Sequence, residues 1–292
     1  MLRYTTSLSN DFGPSEALVS LDDRSTSISA HPLTQHTYAR SSNLPWINNP
    51  APMPGALVTK LSSFVRLDQE EIDALESLSR NSKPFRSEQI LIHEGSPTNS
   101  ICLIVKGLAC RYKMLAGGRR QILGYLIPGD MCDIHFSVAN KPDYSVALIG
   151  DSLVARIPTS KMDQLIALYP KIGRALTMAA IIDGVILREW LLSIGQRDAL
   201  QKLCHLFCEM AVRLEAIGGI NDDGSFELPV NQVTLADTLG LTPVHINRTL
   251  QRLRNEGLIR LCHRRLAILD RERLATIAGF DGAYLQLGLV AA

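Results

Sequence analysis

The period of the apolar positions changes several times along the chain. Between residues 57 and 80, Leu67, Ile72, Leu75 and Leu78 recur at the spacing of one helix face. This segment predicts two short helices. Asp68 is placed to cap the second, and Glu71, three positions on, completes a capping box. Between residues 83 and 160 the pattern becomes short apolar runs: Gln89–His93, Ile101–Lys106, Ala109–Met114, Gln121–Leu126, Ser145–Ile149 and Leu153–Ile157. Turn signals divide them, at Glu94-Gly95-Ser96-Pro97, Gly117-Gly118 and Pro128-Gly129-Asp130. Many short strands at this spacing predict an antiparallel sandwich or barrel.

Helical spacing returns at residue 159. Pro170 suits the first position of a long helix, with Ile172, Leu176, Ala179, Ile182, Ile186, Trp190 and Ile194 on one broad stripe. The stripe is wider than one face needs. It predicts a helix packed on its own domain and on a second copy, with Leu176, Ala179, Ile182, Ile186 and Trp190 at the interface between copies. An ordinary buried helix is the plainer alternative. Residues 197–217 form another amphipathic helix, ended by Gly218-Gly219, and a short strand is expected at Phe226–Leu228.

The next segment divides cleanly. A helix is expected from about Val233 to Leu239, and Gly240 supplies a turn. Thr242 is an N-cap, Pro243 opens a second helix running to Glu256, and Gly257 stops it. Two runs, Leu258–Leu261 and Leu266–Leu269, flank a turn at Cys262-His263-Arg264-Arg265. This is the pattern of a helix-turn-helix followed by a wing. Ile246, Leu250 and Leu253 share the core face, while His245, Arg248 and Arg252 face outward.

Charge sharpens this reading. The 292-residue chain has a net charge of +1 and is 46% hydrophobic, which is ordinary for a chain of about two domains. Residues 242–273 nevertheless hold eight arginines and three acids, so the rest of the chain is net negative. A basic module on a neutral chain is the footprint of phosphate-backbone binding. An arginine-rich solvated surface would not account for the turn, cap and wing together.

Other classes find little support. The longest apolar stretch, Leu176–Leu187, is broken by Thr177, Asp183 and Gly184 and falls short of a membrane span. The Ser- and Thr-rich first thirty residues do not read as a secretory signal, and six scattered cysteines suit a reducing cytoplasm. No phosphate-cradling loop, nucleophile elbow or paired-carboxylate motif suggests an enzyme. Residues 1–55 read as a polar, disordered extension, with Met53 a candidate natural start. The remaining divisions are expected at 56–160 for the strand-rich domain, 161–195 for the long helix, 196–280 for the second domain and 281–292 for a tail.

LADTLGLTPVHINRTLQRLRNEGLI (235–259), ILIHEGSPTNSICLIVKG (90–107) and YLIPGD (125–130) make the sequence resemble the Crp/Fnr family of bacterial transcription regulators. The likeness covers roughly residues 57–280. It implies an α+β architecture: an antiparallel β-roll like those that bind cyclic nucleotides, a long dimerisation helix and a C-terminal winged helix-turn-helix. It implies a homodimer on a two-fold symmetric operator, with RNA polymerase as a further partner of an activator. Positions 244, 245, 247 and 248 match those that face base edges in the family, and Arg248 matches its guanine-reading arginine. Thr242, Val244, His245, Asn247, Arg248, Arg252, Arg264 and Arg265 are therefore the candidate DNA contacts. Val244 departs from the family, where glutamate is common.

The effector pocket departs further. Aligned from Gly129-Asp130, the family's ribose- and phosphate-binding positions fall at Asp133, Ile134, Tyr144 and Ser145. The glutamate and arginine that carry the ligand chemistry are lost, which argues against cAMP or cGMP. Cys132 and His135 complete the candidate pocket and are conceivable haem or metal ligands, or mere lining. Residues 1–101 contain no cysteine, which argues against the family's iron–sulfur cluster. No cofactor is expected, and the effector is unidentified. A weaker signal is Cys204, His205 and Cys208 on one helix, with Cys262 or His263 as distant partners. It suggests a redox or metal site, against a plainer buried thiol pair. The rival function is a ligand- or redox-responsive signalling protein whose winged domain contacts protein.

Overall fold

The computed structural model describes residues 55–132 and 141–287. The expected extension at 1–55 and the pocket positions Asp133, Ile134 and His135 lie outside them, apart from Gly55. Two helices open the fold, α1 (Ala56–Ser62) and α2 (Gln69–Ser79). The capping box at Asp68 and Glu71 is present in both directions.

Eight strands follow: β1 (Lys83–Phe85), β2 (Ile90–Ile92), β3 (Ser100–Lys106), β4 (Ala109–Met114), β5 (Arg120–Leu126), β6 (Met131–Cys132), β7 (Ser145–Leu148) and β8 (Ser152–Pro158). They build two four-stranded sheets, ordered β1-β8-β3-β6 and β2-β7-β4-β5, with every pairing antiparallel. β1 and β6 escape the sequence pattern because two or three residues are too few to show alternation. β3 reads as a continuous apolar run because both of its faces are covered. Cys102 and Ile104 enter the core between the sheets, and Ile101 and Leu103 enter the core shared with the helices.

The turn into β6 holds the roll to the helices. Gly129 has φ +87°, and a Cβ there would lie 2.7 Å from the Ala56 carbonyl oxygen, so only glycine fits. It delivers Asp130, which is 2% exposed. Asp130 accepts from Lys60 Nζ (2.6 Å), an Arg213 guanidinium nitrogen (2.9 Å) and the Ile127 N–H (2.9 Å). Burial works against its charge, but the two cations hold its carboxyl below the usual range.

Three helices then run in series: α3 (Thr159–Leu168), α4 (Pro170–Gln196) and α5 (Ala199–Glu215). Pro170 stands in the first turn of α4, as the sequence predicts. No helix among the described residues is long and apolar enough to cross a membrane. The C-terminal part comprises β9 (Ser225–Glu227), α6 (Gln232–Leu239), α7 (Pro243–Asn255), β10 (Ile259–Cys262), β11 (Arg265–Ile268) and α8 (Arg271–Ala278). A 3-10 turn at Gly282–Leu285 closes the described chain. The sheet order β10-β11-β9 makes the wing.

The faces of α4 require a correction. The five residues expected between copies are covered by the chain's own body: Leu176 is 3% exposed, Ala179 9%, Ile182 5%, Ile186 7% and Trp190 5%. Trp190 donates to Glu209 of α5, and its ring meets Tyr125 of β5 edge-on at 5.6 Å. The helix has a second apolar face, turned outward. Ile181 is 52% exposed and Leu191 71%, with Leu187 and Leu192 beside them. Thr177, Ile181, Gly184, Arg188, Leu191 and Gly195 alternate four and three residues apart, the spacing of a coiled-coil seam. The breadth of the stripe indicated two partners, but periodicity could not say which side met which.

Candidate nucleic-acid interface and effector cavity

The helix-turn-helix is assembled by local chemistry. Asn231 caps α6 by accepting from the Thr234 N–H, and Gly240 ends it at φ +64°, a left-handed conformation natural to glycine. Thr242 caps α7 by accepting from the His245 N–H, and Pro243 occupies the first turn. Ile246, Leu250 and Leu253 are at most 2% exposed, which fixes the rotation of α7. The opposite face presents Val244, His245 and Arg248 to solvent.

The structure sorts the candidate contacts. Thr242 is committed to its cap. Asn247 is half-buried, and its side-chain oxygen accepts from Gln232 at the start of α6 (3.2 Å). Arg252 pairs with Glu256 at 2.8 Å, and Glu256 also holds Arg273 at 2.8 Å. Arg248, Arg264 and Arg265 have no carboxylate within ion-pair distance among the described residues, which leaves their charge available to an external anion.

Cys262 and Arg265 pair across the wing, leaving His263 and Arg264 as a two-residue turn with φ +48° and +64°. Two successive left-handed residues without glycine cost roughly 1–3 kcal/mol each. The Arg264 carbonyl accepts from the Leu228 N–H at 2.7 Å, which pins the strained tip and holds Arg264 and Arg265 outward.

A cavity of about 270 Å³ lies between the roll and α4. Its wall includes Arg111 of β4, Tyr125 of β5, Met131 of β6, Tyr144, and Leu176 and Asp183 of α4. Of the pocket positions read from sequence, only Tyr144 reaches it among the described residues. Cys132 is fully buried inside the roll, across the ladder from Cys102, and does not line the cavity. Ser145 lies in β7 and accepts from the Glu94 N–H, away from the cavity wall. The sequence reading missed Arg111 and Asp183. Their guanidinium and carboxylate meet at 2.9 Å, and Arg111 also donates to the Met131 carbonyl (3.2 Å). Both interrupt apolar surroundings, Arg111 within β4 and Asp183 within the long apolar stretch of α4, and that interruption was the available signal.

The Cys204, His205 and Cys208 cluster is buried. Desolvation pushes both thiols up to about 12, so neither supplies a ready thiolate. Among the described residues, no group of three or more metal-ligating side chains forms a site.

Family models agree with this architecture. Residues 82–169 match the cyclic nucleotide-binding domain, and residues 201–277 match the Crp-like helix-turn-helix domain. The chain is 29% identical to the nitrogen fixation regulation protein FixK of Bradyrhizobium diazoefficiens, over 73% of this chain and 87% of that protein. It is 28% identical to the transcriptional activator protein FnrL of Cereibacter sphaeroides, over 74% of this chain and 87% of that protein. Among solved structures, FixK2 from Bradyrhizobium japonicum shares the fold with a TM-score of 0.61 and 22% identity, covering 69% of this chain and 98% of that one. With a β-roll, a long helix and a Crp-like winged helix-turn-helix in that order, the chain belongs to the Crp/Fnr family of DNA-binding transcription regulators.

Proposed function

We propose that this protein binds a two-fold symmetric DNA site as a homodimer, one α7 per half-site, under the control of a small molecule received by the roll. The carrying observation is the exposed face of α7, where Arg248 stands opposite a buried apolar face and beside a wing that presents Arg264 and Arg265. In this reading Arg248 reaches a base edge and the wing arginines reach phosphates. The outward seam through Ile181, Gly184 and Leu191 supports pairing of α4 with its copy.

The residues present do not fit the family's two familiar cofactors. A four-thiolate cluster finds no cysteine in residues 1–101, and Cys102, Cys110, Cys132, Cys204 and Cys208 are buried on separate elements or inside α5. Tyr144 stands at the aligned position of the family's phosphate-binding arginine, so a cyclic nucleotide would lack that contact. FnrL is named as an activator, and on that ground RNA polymerase is the protein partner proposed here.

The test is genomic footprinting followed by gel shift on the recovered duplex at two salt concentrations. A symmetric motif whose affinity falls as salt rises is expected. Retention equal for recovered and scrambled duplexes would overturn sequence-specific binding.

A further inference from the structure

The cavity wall is largely apolar, yet it carries one cation with an incomplete set of partners. One Arg111 terminal nitrogen serves both Asp183 (2.9 Å) and the Met131 carbonyl (3.2 Å). Its Nε is buried and has no hydrogen-bond partner among the described residues. A buried donor left unpaired is costly, and the Nε edge is one of the two edges through which a guanidinium binds a carboxylate by two parallel bonds. The ring of Tyr144 lies under the guanidinium, its centroid 5.7 Å away.

We propose that the cavity binds a compact amphipathic carboxylate, whose head takes the Nε edge of Arg111 in place of Asp183 and whose body fills the apolar space beside Leu176 and Met131. This rests on the reading of the roll as the sensor and names the ligand class. The size follows from the volume, which is just below the roughly 300–1,000 Å³ of pockets for drug-sized molecules. A single charge follows from the wall's ionic groups: Lys60 and Arg213 are already paired with Asp130, which leaves Arg111, among the described residues, as the one cation for a charged head, beside the carboxylates of Asp143 and Asp183. Displacement also has a consequence. The Arg111–Asp183 pair ties β4 to α4, and Asp183 is the neighbour of Gly184 in the outward seam. Occupancy of the cavity therefore unties the roll from the helix that carries the seam.

The test is calorimetric titration of the full-length protein with hexanoate, octanoate and benzoate, and with the matching primary amides. At least one acid is expected to bind saturably, with its amide weaker by about tenfold or more. Arg111→Gln should lose that binding. Asp183→Asn removes the internal competitor and should tighten it, a gain that mere damage to the fold would not produce. The proposal is overturned if no acid saturates by about 10 mM, if the amides bind equally well, or if Asp183→Asn leaves affinity unchanged or lower. DNA binding is measured separately by gel shift, so the ligand class can fail while the regulator reading stands.

Discussion

The hydroxyl of Tyr125, on β5 of the roll, hydrogen-bonds the hydroxyl of Thr238, in the first helix of the helix-turn-helix, at 2.5 Å. Thr238 already donates to the Thr234 carbonyl, so Tyr125 is the donor. The same strand sends Arg120 to Asp237 (2.9 Å) and Gln121 to the Thr238 carbonyl (3.2 Å). Tyr125 also lines the cavity and meets Trp190 of α4. One side chain thus touches the cavity, the long helix and the DNA-binding module. Tyr125→Phe should cost about 1 kcal/mol of stability, the net worth of one such bond, and shift DNA affinity in the same variant. Thermal melts and gel shifts on the purified variant would show this. A variant with wild-type DNA affinity would mean that the contact only holds the fold together.

The two faces of α4 should fail differently. Leu191→Glu and Ile181→Glu place a charge on the outward seam and should yield monomers in analytical ultracentrifugation, with little change in melting temperature at the protomer level. Ile186→Arg puts an unpaired charge among residues buried by the chain itself and should cost several kcal/mol of protomer stability. A stably folded dimer from Leu191→Glu would refute the seam.

Readout separates Arg248 from the wing. Arg248→Ala should lose about 1–3 kcal/mol on the cognate duplex and relax the preference at one base pair. Arg264→Ala should weaken binding to all sequences alike and lower the salt slope by about one unit. Competition between cognate and scrambled duplexes at matched salt distinguishes the two. Equal losses on both duplexes for Arg248→Ala would move the specificity role to His245, because Asn247 is already engaged by Gln232.

His205 gives a pH dependence. Burial and then the nearby Arg197 lower its pKa to about 4, and Glu189 at 3.3 Å only partly opposes them. The unfolded side chain titrates near 6.5, so between about 4 and 6.5 the folded state binds fewer protons. The folded state's advantage is therefore complete above about pH 6.5 and lost as pH falls toward 4. Melting temperatures of wild type and His205→Gln should converge or cross as the buffer is acidified through that window. Parallel curves would show that His205 does not titrate on unfolding.

Much of the DNA-binding module was legible because its determinants are local. The cap of Thr242 on the His245 N–H spans three residues, and Gly240 acts through its own φ. The outward position of Arg248 follows from the core positions of Ile246 and Leu250, which lie within one turn. Alignment from Gly129-Asp130 brings Tyr144 to the cavity but not Cys132 or Ser145, because it carries no information on which way a side chain turns. Cys132 alternates into the roll core, and Ser145 turns to Glu94.

By itself the sequence determined the order of elements, the helix-turn-helix, the basic character of residues 242–273 and the need of α4 for two apolar faces. Each depends on period, caps or charge within a few residues of chain. The tertiary structure decided which face of α4 the protomer covers, and it brought Arg111 to Asp183 and Tyr125 to Thr238, partners 72 and 113 residues apart. Periodicity reports that a face is buried but carries no information about what covers it. That depends on where the β4–β5 hairpin comes to lie once the roll closes against the helices.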